Sequence, residues 1–157
     1  MILAVTNTTL LSNFAHVSRS DLPSLAFPGL AMPTTVREEL DDGERLGLLP
    51  ALDWSAIPIV VPDAAQLDEV GRLQPPLDRG EISCLALAKG HGAIAITDDR
   101  DARKVARTLG LKISGTLGAL ILLVKGWHLS LGEADALLAK MVASGYRSPK
   151  PSIASYL

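Results

Sequence analysis

A chain of 157 residues with 48% hydrophobic side chains can bury one sizeable core, so a single domain spanning residues 1–157 is expected. Its formal charge of −2 excludes a molecule drawn to polyanions by net charge, so any attraction to nucleic acid must come from a local basic patch. The N-terminal stretch has no charged leader or small-residue cleavage site, and the longest apolar run, Ala119 to Val124, is too short to span a membrane. The single cysteine, Cys84, lies in the apolar run 82–88 and reads as a small buried hydrophobe. Together these features point to a reducing, cytoplasmic setting without a membrane partner.

In chain order, Ile2 to Thr6 reads as a buried strand running into a helix with a Thr cap at Thr8 or Thr9, its apolar face carried by Leu10, Leu11, Phe14 and Val17. Pro23, Pro28 and Gly29 break the next stretch, leaving room for one short helix and a short strand near Leu30 to Met32. Thr34 and Thr35 are placed to cap a helix reaching Leu46, with Glu38 and Glu39 in its early turns. Ile57 to Val61 reads as a strand, at an edge because Pro58 cannot donate to a ladder. Helices over Ala64 to Leu73 and Arg79 to Lys89 follow, separated by Pro75-Pro76. A strand over Ala93 to Ile96, a helix from Arg100 to Leu109, a strand over Leu111 to Ser114 and a helix from Thr116 to Lys125 complete the alternation. That alternation specifies βαβ units and a mainly parallel sheet covered on both faces. A last helix from Leu131 to Ser144 precedes a C-terminal extension, 146–157, whose Pro149 and Pro151 suggest an extended segment.

Ligands of open parallel sheets bind beyond the carboxyl ends of the strands. Two strands end there in polar clusters, Asn7-Thr8-Thr9 and Thr97-Asp98-Asp99, and Glu39 and Glu81 are the further carboxylates able to converge on them. Hard oxygen donors of this kind suit Mg²⁺ or Mn²⁺, which can activate water against a phosphodiester. Each residue has a plainer role open to it: Asp98 or Asp99 as a helix N-cap, Glu81 as a partner of the helix dipole, Glu38 and Glu39 as a solvated face. Arg100, Arg103, Lys104 and Arg107 recur at helical spacing as a basic stripe, either a solvated face or a contact for nucleic-acid phosphates. Ser114-Gly115-Thr116-Leu117-Gly118 opens a helix without the Lys of a P-loop and reads as a tight turn. His16, His91 and His128 show no metal-ligand spacing.

The runs Val5 to Leu11, Met32 to Leu40, Leu77 to Glu81, Ile96 to Arg100 with Ala102-Arg103, and Gly115 to Gly118 together resemble PIN-like domains of the VapC-related, uncharacterised subgroup. The likeness covers nearly the whole chain in order. It implies a three-layer α/β/α fold, a homodimer, and a Mg²⁺- or Mn²⁺-dependent endoribonuclease of the toxin kind, restrained by a cognate antitoxin protein. The family's acidic positions fall on Asn7, Glu39, Glu81 and Asp99, with Asp98 beside the last, Thr97 at the hydroxyl position, and Thr8 or Thr9 after the first strand. The first of those positions is Asn7 here, where PIN nucleases carry Asp. An amide oxygen can touch a metal but brings no charge.

The leading reading is therefore a metal-dependent ribonuclease whose Glu39, Glu81 and Asp99 hold the ion. The alternative is a catalytically weak or inactive relative that binds RNA or a partner protein through the same pocket. A receiver-like, phosphate-binding domain is disfavoured, because the acid pair follows a late strand and no Lys follows the last one.

Overall fold

The apolar run at the N-terminus forms β1 (Ala4–Thr6), buried at every position, in a computed structural model that describes residues 1–157. It is central because it pairs on both sides, with β2 (Leu30–Pro33) on one flank and β4 (Ile94–Ile96) on the other. β3 (Ile59–Val60) and β5 (Ile113–Ser114) form the edges, giving five parallel strands in the order β3-β2-β1-β4-β5. A parallel sheet must be covered on both faces, and the strands alternate accordingly. Ala4 and Ile96 join one core; Val5 and Ala95 join the other.

The first core holds α1 (Thr8–His16), α2 (Leu22–Ala26), α3 (Thr34–Arg45), α7 (Thr116–Lys125) and α8 (Leu131–Ala143) against one face. The second holds α4 (Ala64–Gly71), α5 (Arg79–His91) and α6 (Arg100–Thr108) against the other, completing the three-layer α/β/α fold of a mainly parallel sheet that the sequence implies. α5 packs against α3, α4, α6 and the sheet at once, so its residues from Ser83 to Ala88 are all buried. Cys84 is fully buried there, its thiol donating to the Val5 carbonyl at 3.4 Å, and burial holds it protonated. Gly92 ends α5 with φ of 60°, a conformation that suits glycine.

Several local expectations are corrected. α1 is capped by Asn7, whose Oδ1 accepts from the Leu10 N–H, and not by a threonine. α3 follows Pro33 without a side-chain cap, and Thr35, inside its first turn, instead exchanges a hydrogen bond with Ser83 of α5 across the interior. β3 is shorter than 57–61, since Pro58 offers only its carbonyl, which accepts from Met32 N–H at 2.9 Å. The tail is not simply extended: Ile153 is buried in the first core, Asp135 receives Ser152 Oγ and Ile153 N–H, and Ala154–Tyr156 closes as a short 3₁₀ turn. No helix is long and apolar enough to cross a membrane.

Phe14 is fully buried on α1, the helix that carries the first site residue. Phe14→Ala is expected to cost about 3–5 kcal/mol, read as a lower urea midpoint with an unchanged slope.

Candidate active site

The sheet's connections diverge between β1 and β4: the chain leaves β1 through α1 toward β2, and leaves β4 through α6 toward β5. Such a reversal opens a crevice beyond the carboxyl ends of the two strands. Asn7 follows β1 and Thr97 follows β4, both buried. α5 brings Glu81 under them from below, held in the first turn because Asp78 caps the helix by accepting the Glu81 N–H at 2.8 Å.

These three side chains close a ring of hydrogen bonds. Asn7 Nδ2 donates to Glu81 Oε1 at 3.0 Å and to Thr97 Oγ1 at 3.2 Å, while Thr97 Oγ1 donates to Glu81 Oε2 at 3.1 Å. The amide's orientation follows from its cap, since Leu10 N–H requires the oxygen and leaves the nitrogen for the carboxylate. Thr97 Oγ1 also accepts from Asp99 N–H at 3.1 Å, so its one proton and both lone pairs are committed. Burial, opposed by the Asn7 and Thr97 hydrogen bonds and assisted by the charges of Asp78 and Asp99, pushes the Glu81 carboxyl up to about 7.

Glu39 stands one step away. Its Oε2 accepts from Thr8 Oγ1 at 3.0 Å, and burial raises its carboxyl above the usual range. Its Oε1 lies over Gly80, where a Cβ would stand only 2.2 Å from it, so glycine at that position admits the carboxylate. Glu39 faces a cleft of its own that meets the Glu81 cleft at Asp78. Asp99 serves as the N-cap of α6, its Oδ2 accepting from Ala102 N–H at 2.8 Å, and lines the Glu81 cleft. Asp98 lines that cleft too but binds elsewhere: it accepts from the Thr116 N–H at 3.1 Å and from Thr116 Oγ1 at 2.6 Å, at the start of α7. Asn13 Nδ2 in turn donates to Thr116 Oγ1 at 3.0 Å.

A family model for the PIN domain matches residues 3–157. The chain belongs to the PIN domain family. Members of that family are generally nucleases. In fold the PIN domain described here is also similar to the crystal structure of PAE2754 from Pyrobaculum aerophilum, with a TM-score of 0.53 and 18% identity over 82% of this chain and 98% of that one. No curated protein matches the sequence significantly.

PIN domains are typically dependent on divalent metal, and the donors here fit such an ion in type, as carboxylates, an amide and hydroxyls. They do not enclose one, because no three acidic side chains gather as a metal-binding group. Mg²⁺ is nevertheless commonly held through one or two carboxylates, with water and substrate phosphate completing its shell. Glu81 and Asp99, lining one cleft of about 450 Å³, supply that many.

The basic stripe divides. Arg100, Lys104 and Arg107 are exposed, whereas Arg103, at the margin of the face buried through Ala102, Val105 and Ala106, folds inward and donates from Nε to the Thr97 carbonyl at 2.9 Å. Sequence reasoning missed Asp78, whose capping position just before Gly80-Glu81 was a usable signal. It also missed Asn13, Thr116, Tyr146 and Arg147, whose part depends on contacts between distant segments.

The Glu81 shift sets a pH dependence. Below about 4.5 the group is protonated folded and unfolded; between about 4.5 and 7 only the folded chain keeps the proton, so stability falls as pH rises through that window. The loss, complete above 7, is at most about 3 kcal/mol. Glu81→Gln should flatten the profile in urea titrations from pH 4.5 to 8 and be more stable than the parent at the upper end; an unchanged slope would show that Glu81 is ionised throughout.

Proposed function

We propose that this PIN domain is a metal-dependent endoribonuclease of the toxin kind, cleaving RNA phosphodiesters in the cleft between β1 and β4. The observation that carries this reading is the buried Asn7–Glu81–Thr97 ring at the topological switch point, through which Glu81 lines an open cleft together with Asp78 and Asp99. Glu81 and Asp99 would hold Mg²⁺ or Mn²⁺, with Glu39 in the adjoining cleft. Bound there, the ion supplies Lewis-acid activation of water and charge neutralisation at the phosphoryl oxygens. Thr97 and Asn7 fix both oxygens of Glu81, so the carboxylate meets its ligand already oriented. Asp98 has a supporting part, tying the β4–α6 turn to the start of α7. Arg100 and Arg107, exposed on α6 beyond Asp99, would contact RNA phosphates.

A restraining antitoxin protein and a second copy of the chain belong to this reading. An apolar cleft where Leu3 and Leu122, both partly exposed, lie beside Phe27 supports a protein contact. Homodimer formation would show as a doubled mass in light scattering.

One observation favours the alternative, a weak or inactive relative that binds RNA or a partner. The Asn7 amide already gives Glu81 a neutral donor at the place where a family acid would demand a cation. Asn7→Asp tests the balance, because it sets two carboxylates face to face while keeping the oxygen that caps α1. Without metal it is expected to lose about 1–3 kcal/mol, from repulsion and a lost hydrogen bond. Mn²⁺ should restore that stability in a concentration-dependent way. Cleavage of a mixed RNA pool with Mn²⁺ should rise in Asn7→Asp and disappear with EDTA or in Asp99→Asn. Absence of cleavage in both parent and Asn7→Asp, with no Mn²⁺ effect on stability, would leave the binding reading in its place.

A further inference from the structure

A second cleft, of about 540 Å³, lies between the β5–α7 turn and the C-terminal segment, lined among others by Arg103, Arg147 and Tyr156. It is continuous with the Glu81 cleft, since Asp98, Tyr146 and Arg147 line both. The two differ in charge. Asp78, Glu81, Asp98 and Asp99 line the Glu81 cleft with one guanidinium, Arg147, whereas in the second cleft two guanidiniums face a single carboxylate, Asp98, whose oxygens already accept from Thr116.

Neither arginine is ion-paired. None of the ion pairs in the molecule uses Arg103 or Arg147. Arg103 is half-buried and spends only its Nε–H, on the Thr97 carbonyl. A guanidinium carries five N–H donors, so those on its two Nη atoms remain. Arg103 Nη2 passes close to Gly115, where a Cβ would be 2.6 Å from it and 2.4 Å from Asp98 Oδ1, so glycine there admits both side chains. Tyr146 lines both clefts, with its hydroxyl toward Asp98 and Thr116 and, through burial first and the Asp98 charge second, raised well above its ordinary range. Tyr156 is 43% exposed, an aromatic side chain open to the cleft wall.

We propose that this second cleft is a flanking-nucleotide subsite for single-stranded RNA, taking a phosphate between Arg103 and Arg147 and a base against Tyr156. The place of this subsite next to the cleaved bond rests on the nuclease reading; the binding itself does not. Paired guanidiniums match phosphate geometry, and an exposed aromatic face accepts any unstacked base. A duplex keeps its bases stacked and cannot offer one to Tyr156. A polynucleotide also explains why a basic, aromatic cleft adjoins an acidic one, because successive nucleotides would reach both.

The test is binding of a short, fluorescently labelled single-stranded oligoribonucleotide in EDTA, by anisotropy. Arg147→Ala and Tyr156→Ala alter exposed side chains and should fold as the parent does, with thermal melting as the control. Each is expected to weaken binding at least about fivefold. Arg147→Ala should also reduce the slope of log affinity against log salt by about 0.7, whereas Tyr156→Ala should leave the slope alone and Tyr156→Phe should retain affinity. The matching duplex should compete poorly. Parental affinity in both alanine variants, or equal competition by the duplex, would overturn the subsite. A glutamate-rich peptide bound through Arg147, with RNA binding indifferent to both variants, would also overturn it and assign the cleft to a protein. If these losses occur but RNA is never cut with Mn²⁺, the nuclease reading fails and the subsite stands; cleavage with binding indifferent to both variants gives the opposite result.

Discussion

Glu81 is carried under the carboxyl ends of β1 and β4 by a helix that is buried along most of its length, and a carboxylate in that position must find donors or lose its charge. Its surroundings answer that demand. Asn7 and Thr97 each give one hydrogen bond to it, Asp78 pins the turn that presents it, and Gly80 beside it leaves room for a second carboxylate, Glu39. Three of these residues also have a structural duty: Asn7 caps α1, Asp78 caps α5, and Thr97, just after β4, accepts the Asp99 N–H. The site and the starts of two helices are therefore built from the same atoms, so a change at the site is felt in the fold.

This arrangement leaves the cleft balanced between two states of charge. With a neutral amide at position 7, the ring is satisfied by hydrogen bonds alone, and the remaining cost falls on the Glu81 proton. With an acid there, the same geometry would need a cation to be stable. Coulomb attraction between a divalent ion and one more carboxylate at about 4 Å is several kcal/mol even at an effective dielectric near 20, and desolvation and carboxylate repulsion offset much of it. Under the metal-dependent reading proposed above, the choice at that one position would tune how much the cleft depends on metal.

Charge is segregated across the molecule in a way that a net value of −2 conceals. Carboxylates line the cleft at the strand ends around Glu81, and the adjoining cleft sets Arg103 on one wall and Arg147, which lines both clefts, on a second. The C-terminal segment makes that second wall, and it is held there by Ile153 in the core and by Asp135.

Much of this was readable in the sequence because it is local. Short apolar runs ending in Asn7 and in Thr97-Asp98-Asp99 identify parallel strands and the edge where their polar residues emerge, and the breakers Pro75-Pro76 and Gly92 bound α5. Pro58 located an edge strand by what it cannot donate. What the sequence could not supply are directions set by distant partners. Asp98 and Asp99 are neighbours with the same chemistry, yet one caps α6 and the other reaches Thr116, because β4 and β5 lie side by side. Arg103 shares the spacing of an exposed stripe and still turns inward, where its Nε donates to the Thr97 carbonyl. Residue type and spacing by themselves determined the elements, the parallel sheet and the short set of acids at its carboxyl edge. Only the tertiary structure decided which side chains meet at that edge, because hydrogen bonds across 74 and 90 residues, as from Asn7 to Glu81 and Thr97, exist once the strands have paired and not before.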